Sequence, residues 1–207
     1  MASMVTRKSP TDIPQLDLLG DAYARPAEVH RLFLALIPDE SVRARLAAAA
    51  DTLKIQCPEL RARWVNPARY HATLHFLGDH SMLQPDIVAA AKAAADSIRM
   101  APFEWTLDHA AGFHGRQPPC VLRSSLVPEP LQRLWQDLRR ALLLAGQGGH
   151  LERTFTPHVT LAYSHAVLLQ STAIGPVMWQ VDQLALVHRV TGRSNHEVLA
   201  CWPLWRA

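Results

Sequence analysis

Two four-residue segments of the chain share one pattern of chemically active side chains. Residues 71–74 read His-Ala-Thr-Leu, and residues 158–161 read His-Val-Thr-Leu. Side chains alternate faces along an extended strand, so the His and the Thr of each segment point the same way. Two such pairs facing each other would place an acid, a base and two hydroxyl donors around one small anion. The pattern therefore favours a phosphoester site.

The four polar side chains of these segments suit phosphodiester chemistry. Imidazole titrates at a pKa of ~6.5, so one histidine takes a proton from the attacking water while the other protonates the departing ribose oxygen. Thr73 and Thr160 donate hydrogen bonds to the non-bridging oxygens, where charge accumulates. Because His71 and His158 act in opposite protonation states, we expect a bell-shaped pH profile. The four side chains supply every group that this reaction needs, so we expect no cofactor.

A metal site at His71 and His75 is the main rival hypothesis, because the chain has eleven histidines. Four residues of a strand span about 13 Å, whereas zinc–imidazole bonds are about 2 Å long. No cysteine or carboxylate stands at ligand spacing beside the pair. The sequence therefore predicts no metal ligands.

Strict alternation also predicts where the neighbours of the two motifs point. On a strand over residues 70–77, His75 falls on the polar face with the motif, and Phe76 falls on the apolar face that packs in the core. On the second motif strand, alternation turns Tyr163 toward the packed face.

Strand and helix patterns follow the same order in both halves of the chain, which indicates an internal duplication. Apolar runs and alternating segments predict the strands, and helical spacing of apolar residues predicts the helices. The predicted elements are a strand at 31–37, a helix capped by Asp39 and ended by Cys57-Pro58, strands at 63–65 and 70–77, a helix at 85–98, strands at 103–107 and 121–126, a helix from Leu131 to Gly146, the second motif strand, and strands at 178–190 and 197–202.

These elements predict an α+β fold of bilobal, duplicated form. Two mainly antiparallel sheets face a central cleft, and helices cover the outside. Residues 1–28 are expected to be a flexible N-terminal extension, and residues 29–207 a single bilobal domain. The expected N-lobe covers about 29–115 and the expected C-lobe about 116–207, with one motif strand in each.

Composition places the chain among soluble globular proteins. The 207 residues are 49% hydrophobic and 19% charged, with a net charge of +3. No apolar run approaches the roughly 20 residues that span a bilayer, so we expect no membrane contact. Three widely spaced cysteines fit a reducing cytoplasm. No obligate protein partner is indicated, and we expect a monomer.

The segments HATLHFLG and PHVTL resemble the 2H phosphoesterase superfamily, whose two His-x-Thr/Ser-apolar motifs lie roughly ninety residues apart. Here His71 and His158 are 87 residues apart. More narrowly, the chain resembles the bacterial and archaeal RNA 2′,3′-cyclic phosphodiesterases, historically called 2′-5′ RNA ligases. Supporting segments extend over nearly all of residues 30–205: RLFLALIP, RWVNPARYHATLHFLG, the Arg-x-Phe-x-Pro at 153–157 and the Trp-Pro-Leu at 202–204.

The resemblance implies hydrolysis of RNA 2′,3′-cyclic phosphate ends to 2′-phosphates, with weak reversible joining of tRNA halves through a 2′-5′ link. RNA ends or nucleoside 2′,3′-cyclic phosphates are the implied partners. Carried onto this chain, the family mechanism makes His71 the general acid and His158 the general base. Thr73 and Thr160 would hold the phosphate.

One departure from the family concerns phosphate and base binding. Relatives often carry Arg or Lys where this chain has Tyr163. Arg153 and Arg63 are candidates to replace that phosphate clamp, and Phe76 is a candidate to stack on a base. Tyr163 itself completes the set of candidate substrate-binding residues.

Two alternatives remain open on the sequence alone. Another 2H reaction would use the same residues on cyclic ADP-ribose phosphates or oligonucleotide 3′ ends. A non-catalytic RNA-binding protein could keep the same fold, although binding alone does not require two titrating groups. Fold resemblance does not choose among substrates.

Overall fold

The computed structural model describes residues 28–165, 167–193 and 196–205. The strands in these ranges are β1 (His30–Leu36), β2 (Arg63–Trp64), β3 (Ala72–His80), β4 (Phe103–Gly112), β5 (Pro119–Arg123), β6 (Val159–Tyr163), β7 (Thr172–Val181), β8 (Gln183–Val190) and β9 (Glu197–Pro203). The helices are α1 (Glu40–Gln56), α2 (Pro85–Asp96) and α3 (Glu129–Leu144), and short 3₁₀ turns cover Pro58–Leu60 and Pro67–Arg69.

The strands form two sheets in which every pairing is antiparallel. One sheet has four strands in the order β3-β1-β8-β9, and the other has five in the order β2-β6-β5-β4-β7. The first motif therefore leads into an edge strand, β3, whereas the second leads into an interior strand, β6. The predicted α+β fold with two antiparallel sheets is confirmed.

The two sheets do not correspond to contiguous halves of the chain. Strand β8, from its last quarter, lies beside β1 and pairs on its other side with β9, while β4 lies between β5 and β7. The sheets thus interleave, unlike the expected lobes 29–115 and 116–207. Strand partners are set by long-range packing of apolar faces, which a linear repeat does not reveal. Apart from Glu28, the expected extension 1–28 lies outside the described residues.

The single strand expected at 178–190 is two strands in different sheets. Val181 ends β7 in the five-stranded sheet, and Gln183 begins β8 in the four-stranded sheet. The exposed Asp182 between them accepts a hydrogen bond from the backbone N–H of Leu204 at 2.7 Å. Apolar residues on both sides of Asp182 hide this crossing in the sequence.

The helices form where sequence spacing predicts them. The side chain of Asp39 caps α1 by accepting a hydrogen bond from the backbone N–H of Val42 at 2.7 Å. Helix α1 packs against β7, α2 against β8 and β9, and α3 against β3 and β4. Within the described ranges, no helix has the length and apolar character to cross a membrane.

Alternation along β1 separates the core from a second face of the four-stranded sheet. Leu32, Leu34 and Leu36 are fully buried in the main core. Arg31 and Phe33 point the other way and line a cavity. The opposite face of this sheet is therefore left available for ligand.

Candidate active site

A cavity of about 590 Å³ brings the two motifs together. His71 and Thr73 of the first motif line it, and so do His158 and Thr160 of the second. The other lining residues are Arg31, Phe33, Arg63, Val65, Arg69, Phe76, Tyr163, Arg189 and His196. Residues from both sheets thus contribute to one cleft.

Each motif histidine is held by a carbonyl two residues upstream. Nδ1 of His71 donates to the carbonyl oxygen of Arg69 at 2.8 Å, and Nδ1 of His158 donates to that of Thr156 at 2.7 Å. Because a carbonyl oxygen only accepts, Nδ1 carries the hydrogen in both rings. This leaves Nε2 of each ring as the atom that accepts or gives a proton.

His71 lies among aromatic rings and positive charges. Its ring centroid is 5.0 Å from that of Phe33 and 5.0 Å from that of His196, which meets it edge-on. Burial lowers the pKa of His71, the hydrogen bond to Arg69 opposes this, and the positive charges of His158, Arg69 and Arg189 lower the pKa further. The free protein therefore favours neutral His71.

His158 has a sparser environment. The edge of its ring meets Phe113, with centroids 4.9 Å apart. Burial lowers the pKa of His158, the hydrogen bond to Thr156 opposes this, and the charge of Arg123 lowers the pKa further. A neutral His158 with a free Nε2 suits a general base.

Four arginines line the cleft and, apart from Arg31, which pairs with Asp79, give it a positive potential. They are Arg31, Arg63, Arg69 and Arg189, and no acidic residue is among the lining residues that the structure describes. The buried Nε atoms of Arg69 and Arg189 have no hydrogen-bond partner within the described part of the chain. Buried donors without partners are costly, and guanidinium groups form strong hydrogen bonds to anionic oxygens.

A β-bulge in β3 changes the expected alternation after the first motif. Thr73 pairs with Ala35 and His75 pairs with Leu34, so Leu74 has no partner of its own across the strand pair. Leu74 and His75 are both buried, and Phe76 returns to the cleft. The prediction that His75 shares the motif's face and that Phe76 packs in the core was therefore wrong.

The same irregularity follows the second motif. Thr160 pairs with Val121 and Ala162 pairs with Cys120, which leaves Leu161 without a partner of its own. Leu161 and Ala162 are buried, so the expectation that Tyr163 turns to the packed face was also wrong: it lines the cleft. Both segments read His-x-Thr-Leu-x-aromatic, and that shared aromatic is the signal that strict alternation missed.

His75 serves packing rather than the cleft. Its Nε2 donates to the carbonyl oxygen of Trp135 at 2.9 Å, and the two rings stack with centroids 5.3 Å apart. Burial lowers the pKa of His75 to about 4. Among the residues that the structure describes, no group of three or more His, Cys, Asp or Glu side chains is arranged to hold a metal ion.

The structure separates the two arginines that the sequence proposed as substitutes for the phosphate clamp. Arg63 lines the cleft beside Tyr163. Arg153 is exposed and lies instead beside Trp135 on the outer side of α3, so its prediction as a cleft residue was wrong. Phe155 stacks on Trp135 with centroids 5.3 Å apart, and this anchor keeps the segment before the second motif on α3.

Five charged or aromatic cleft residues were not found from the sequence. Arg31 and Phe33 share a face of β1, and Arg189 continues the face of β8 that carries Ala185 and Val187, so alternation within each strand was an available signal. The remaining two, Arg69 and His196, lie outside regular strands, and no local pattern marks them.

The sequence and the fold match known proteins. The family profile described as the 2′-5′ RNA ligase superfamily matches residues 38–193. The chain belongs to this superfamily. The 2H phosphoesterase family that the two motifs resemble is thereby confirmed.

Individual members of the superfamily are distant in sequence. An RNA 2′,3′-cyclic phosphodiesterase of Geobacillus stearothermophilus is 29% identical over 152 residues, covering 68% of this chain. The match spans 47% of that relative, so this chain accounts for about half of its length.

Two solved structures share the architecture over almost their full length. The protein TT0787 of Thermus thermophilus is 27% identical with a TM-score of 0.68, covering 85% of this chain and 98% of that chain. E. coli LigT, crystallised with 3′-AMP, is 25% identical with a TM-score of 0.66, covering 86% of this chain and 99% of that chain.

Proposed function

We propose that the protein hydrolyses RNA 2′,3′-cyclic phosphate ends to 2′-phosphates by two-histidine acid–base catalysis that needs no metal. The observation that carries this proposal is the matched anchoring of His71 and His158 in one arginine-lined cleft. Membership of the superfamily and the Geobacillus relative support phosphoesterase activity in general.

The reaction assigns one proton transfer to each histidine. Nε2 of neutral His158 takes a proton from water, whose oxygen forms a bond to phosphorus. The bond between phosphorus and the ribose 3′ oxygen breaks, and Nε2–H of His71 protonates that oxygen. The product is a 2′-phosphate with a free 3′ hydroxyl, and proton exchange with solvent restores both histidines.

The threonines and arginines stabilise the charge that develops on the phosphate. Thr73 and Thr160 each lie two residues beyond their histidine and line the same cavity. Their hydroxyls donate to the non-bridging oxygens, and Arg69 and Arg189 offer unpaired Nε donors. A bound phosphate offsets the positive charges that otherwise lower the pKa of His71, so substrate binding favours its acid form.

The same groups support weak ligation with a different nucleophile. A 5′ hydroxyl takes the place of water, loses its proton to His158 and bonds to phosphorus; the bond between phosphorus and the 3′ oxygen breaks and His71 protonates that oxygen, which gives a 2′-5′ link beside a free 3′ hydroxyl. Because water is far more abundant than RNA ends, hydrolysis is the dominant reaction. All three cysteines are free thiols, which fits a cytoplasmic protein, and a monomer without obligate partner stays the prediction.

The first test supplies an oligoribonucleotide with a 2′,3′-cyclic phosphate end in the presence of a chelator. The end is expected to open to a 2′-phosphate, identified by mass and by resistance to a 3′-specific phosphatase. His71→Ala and His158→Ala should each lower kcat at least about 100-fold, the low end of general acid–base catalysis.

The matched control is His165→Ala, which removes an exposed histidine outside the cleft and should leave the rate unchanged. Full activity in both motif variants would refute the proposal. Loss of turnover with chelator, restored by zinc, would favour a metal mechanism. RNA binding without any turnover would instead favour the non-catalytic alternative.

A further inference from the structure

Each motif strand presents one aromatic ring to the cleft with a guanidinium against it. The guanidinium carbon of Arg31 lies 5.6 Å from the ring centroid of Phe76, and that of Arg63 lies 5.0 Å from the centroid of Tyr163. We call Phe76 with Arg31 the first platform and Tyr163 with Arg63 the second platform. Rings and guanidinium planes of this kind are the surfaces on which nucleic acid bases stack.

The second platform is fixed by strand pairing. Arg63 of β2 lies directly opposite Tyr163 of β6 in the antiparallel register, which brings the guanidinium to the ring. The β-bulge after Thr160 turns that ring into the cleft. The pair therefore occupies the opposite sheet from the first platform, with both motif histidines lining the same cavity.

The two platforms differ in charge. Arg31 donates to both carboxylate oxygens of Asp79, at 2.7 and 2.6 Å, so the first platform is held rigidly and its charge is compensated. Arg63 is exposed and forms no salt bridge with any residue that the structure describes. Only the second platform combines a stacking surface with an uncompensated positive charge.

We propose that the second platform binds the nucleotide that precedes the terminal one in an RNA end. The base of that nucleotide stacks on Tyr163, and Arg63 meets the charge of the phosphate linking it to the terminal nucleotide. A nucleoside 2′,3′-cyclic phosphate has neither that base nor that linking phosphate. The cleft therefore selects RNA ends of two or more nucleotides over mononucleotides, an inference that rests on the proposed function.

The test compares kcat/KM for the dinucleotide ApA with a 2′,3′-cyclic phosphate end and for adenosine 2′,3′-cyclic phosphate. Tyr163→Leu should lower the dinucleotide value at least about fivefold, the lower end of the contribution of one stacked base, and lower the mononucleotide value by a smaller factor. Tyr163→Phe keeps the ring and should retain the dinucleotide preference. Arg63→Gln should reduce that preference and weaken its dependence on salt.

Phe76→Leu is the matched change on the first platform and should lower the values for both substrates. Equal effects of Tyr163→Leu on the two substrates, or no effect on either, would overturn this inference and leave the proposed function standing. If the unaltered protein opened neither cyclic phosphate, the proposed function would fail first and this inference with it.

Discussion

Strands β3 and β6 carry the same His-x-Thr-Leu-x-aromatic segment in unlike surroundings. Strand β3 is at the edge of its sheet, whereas β6 is paired on both sides, by β2 and β5. His71, ahead of β3, lies near two rings and two arginines. His158, ahead of β6, meets one ring and the charge of one arginine.

Two histidines in identical motifs need not have the same pKa. The carbonyl anchors give both histidines the same tautomer, but Arg69 and Arg189 make His71 the more dependent of the two on neighbouring charge. In the proposed mechanism those arginines meet the phosphate, so anion binding converts a poor proton donor into a good one. His158 needs no such change to act as a base.

The largest expected effect distinguishes the general acid from the general base by changing the leaving group of the substrate. A 4-nitrophenyl ester releases a weakly basic phenolate that leaves without a proton, so the general acid contributes little to its hydrolysis. With a 3′-deoxynucleoside 2′-(4-nitrophenyl phosphate), in which nitrophenolate replaces the departing 3′ oxygen, the loss in His71→Ala should shrink to less than about tenfold, while that in His158→Ala stays at least about 100-fold. Absorbance of released nitrophenolate measures both rates.

Retention of both losses would contradict the division of roles, and shrinkage of the His158→Ala loss alone would reverse it. Thr154→Ala, an exposed threonine outside the cleft, serves as a control of unchanged rate on both substrates.

A smaller effect concerns the second buried residue of each bulge, His75 in β3 and Ala162 in β6. The pKa of His75 is lowered from 6.5 to about 4, so the unfolded chain binds its proton first as the pH falls. The contribution of neutral His75 to the free energy of unfolding is therefore present near pH 7 and is lost as the pH drops from about 6.5 toward 4. Between pH 7 and 5, this loss is about 2 kcal/mol in the free energy of unfolding.

His75→Gln keeps a donor for the carbonyl of Trp135 and removes the titration. Urea unfolding at pH 7 and pH 5 should therefore show a smaller loss of stability in this variant than in the unaltered protein. The same loss in both proteins would show that His75 already titrates normally in the fold.

The smallest expected effect tests the charges around the two histidines directly. Arg189→Met should raise the pKa of His71 and leave that of His158 unchanged, because Arg189 lowers only the former. Arg123→Met should do the reverse. Titration of the imidazole Cε1–H resonances by NMR measures both values, and equal shifts at both histidines in either variant would contradict the charge assignment.

Much of the fold was predictable because it follows local patterns. The apolar periodicity of α3 and the cap at Asp39 specify helices from neighbouring residues alone. The crossing between sheets at Asp182 was not predictable, because strand-forming residues continue on both sides of it. The choice between one strand and two depends on partners far along the chain.

Within the candidate site, residues close to the motifs were easier to find than residues brought in from elsewhere. The histidines and threonines are neighbours in sequence, and Arg63 was proposed for its charge. Arg153 was proposed on the same grounds, yet Phe155 anchors its segment to the far side of α3. A charged residue near a motif in sequence is therefore a weaker candidate for the site than a residue that strand pairing brings to it.

The sequence by itself determined the chemistry offered: two imidazoles, two hydroxyls, the family, and strands of the right character to carry them. The tertiary structure decided which other side chains lie around those four groups. Bulges in β3 and β6 depend on the register of their partner strands, and they turned Phe76 and Tyr163 into the cleft. Alternation is a property of one strand, but register belongs to a pair, so only the assembled sheets set the walls of the site.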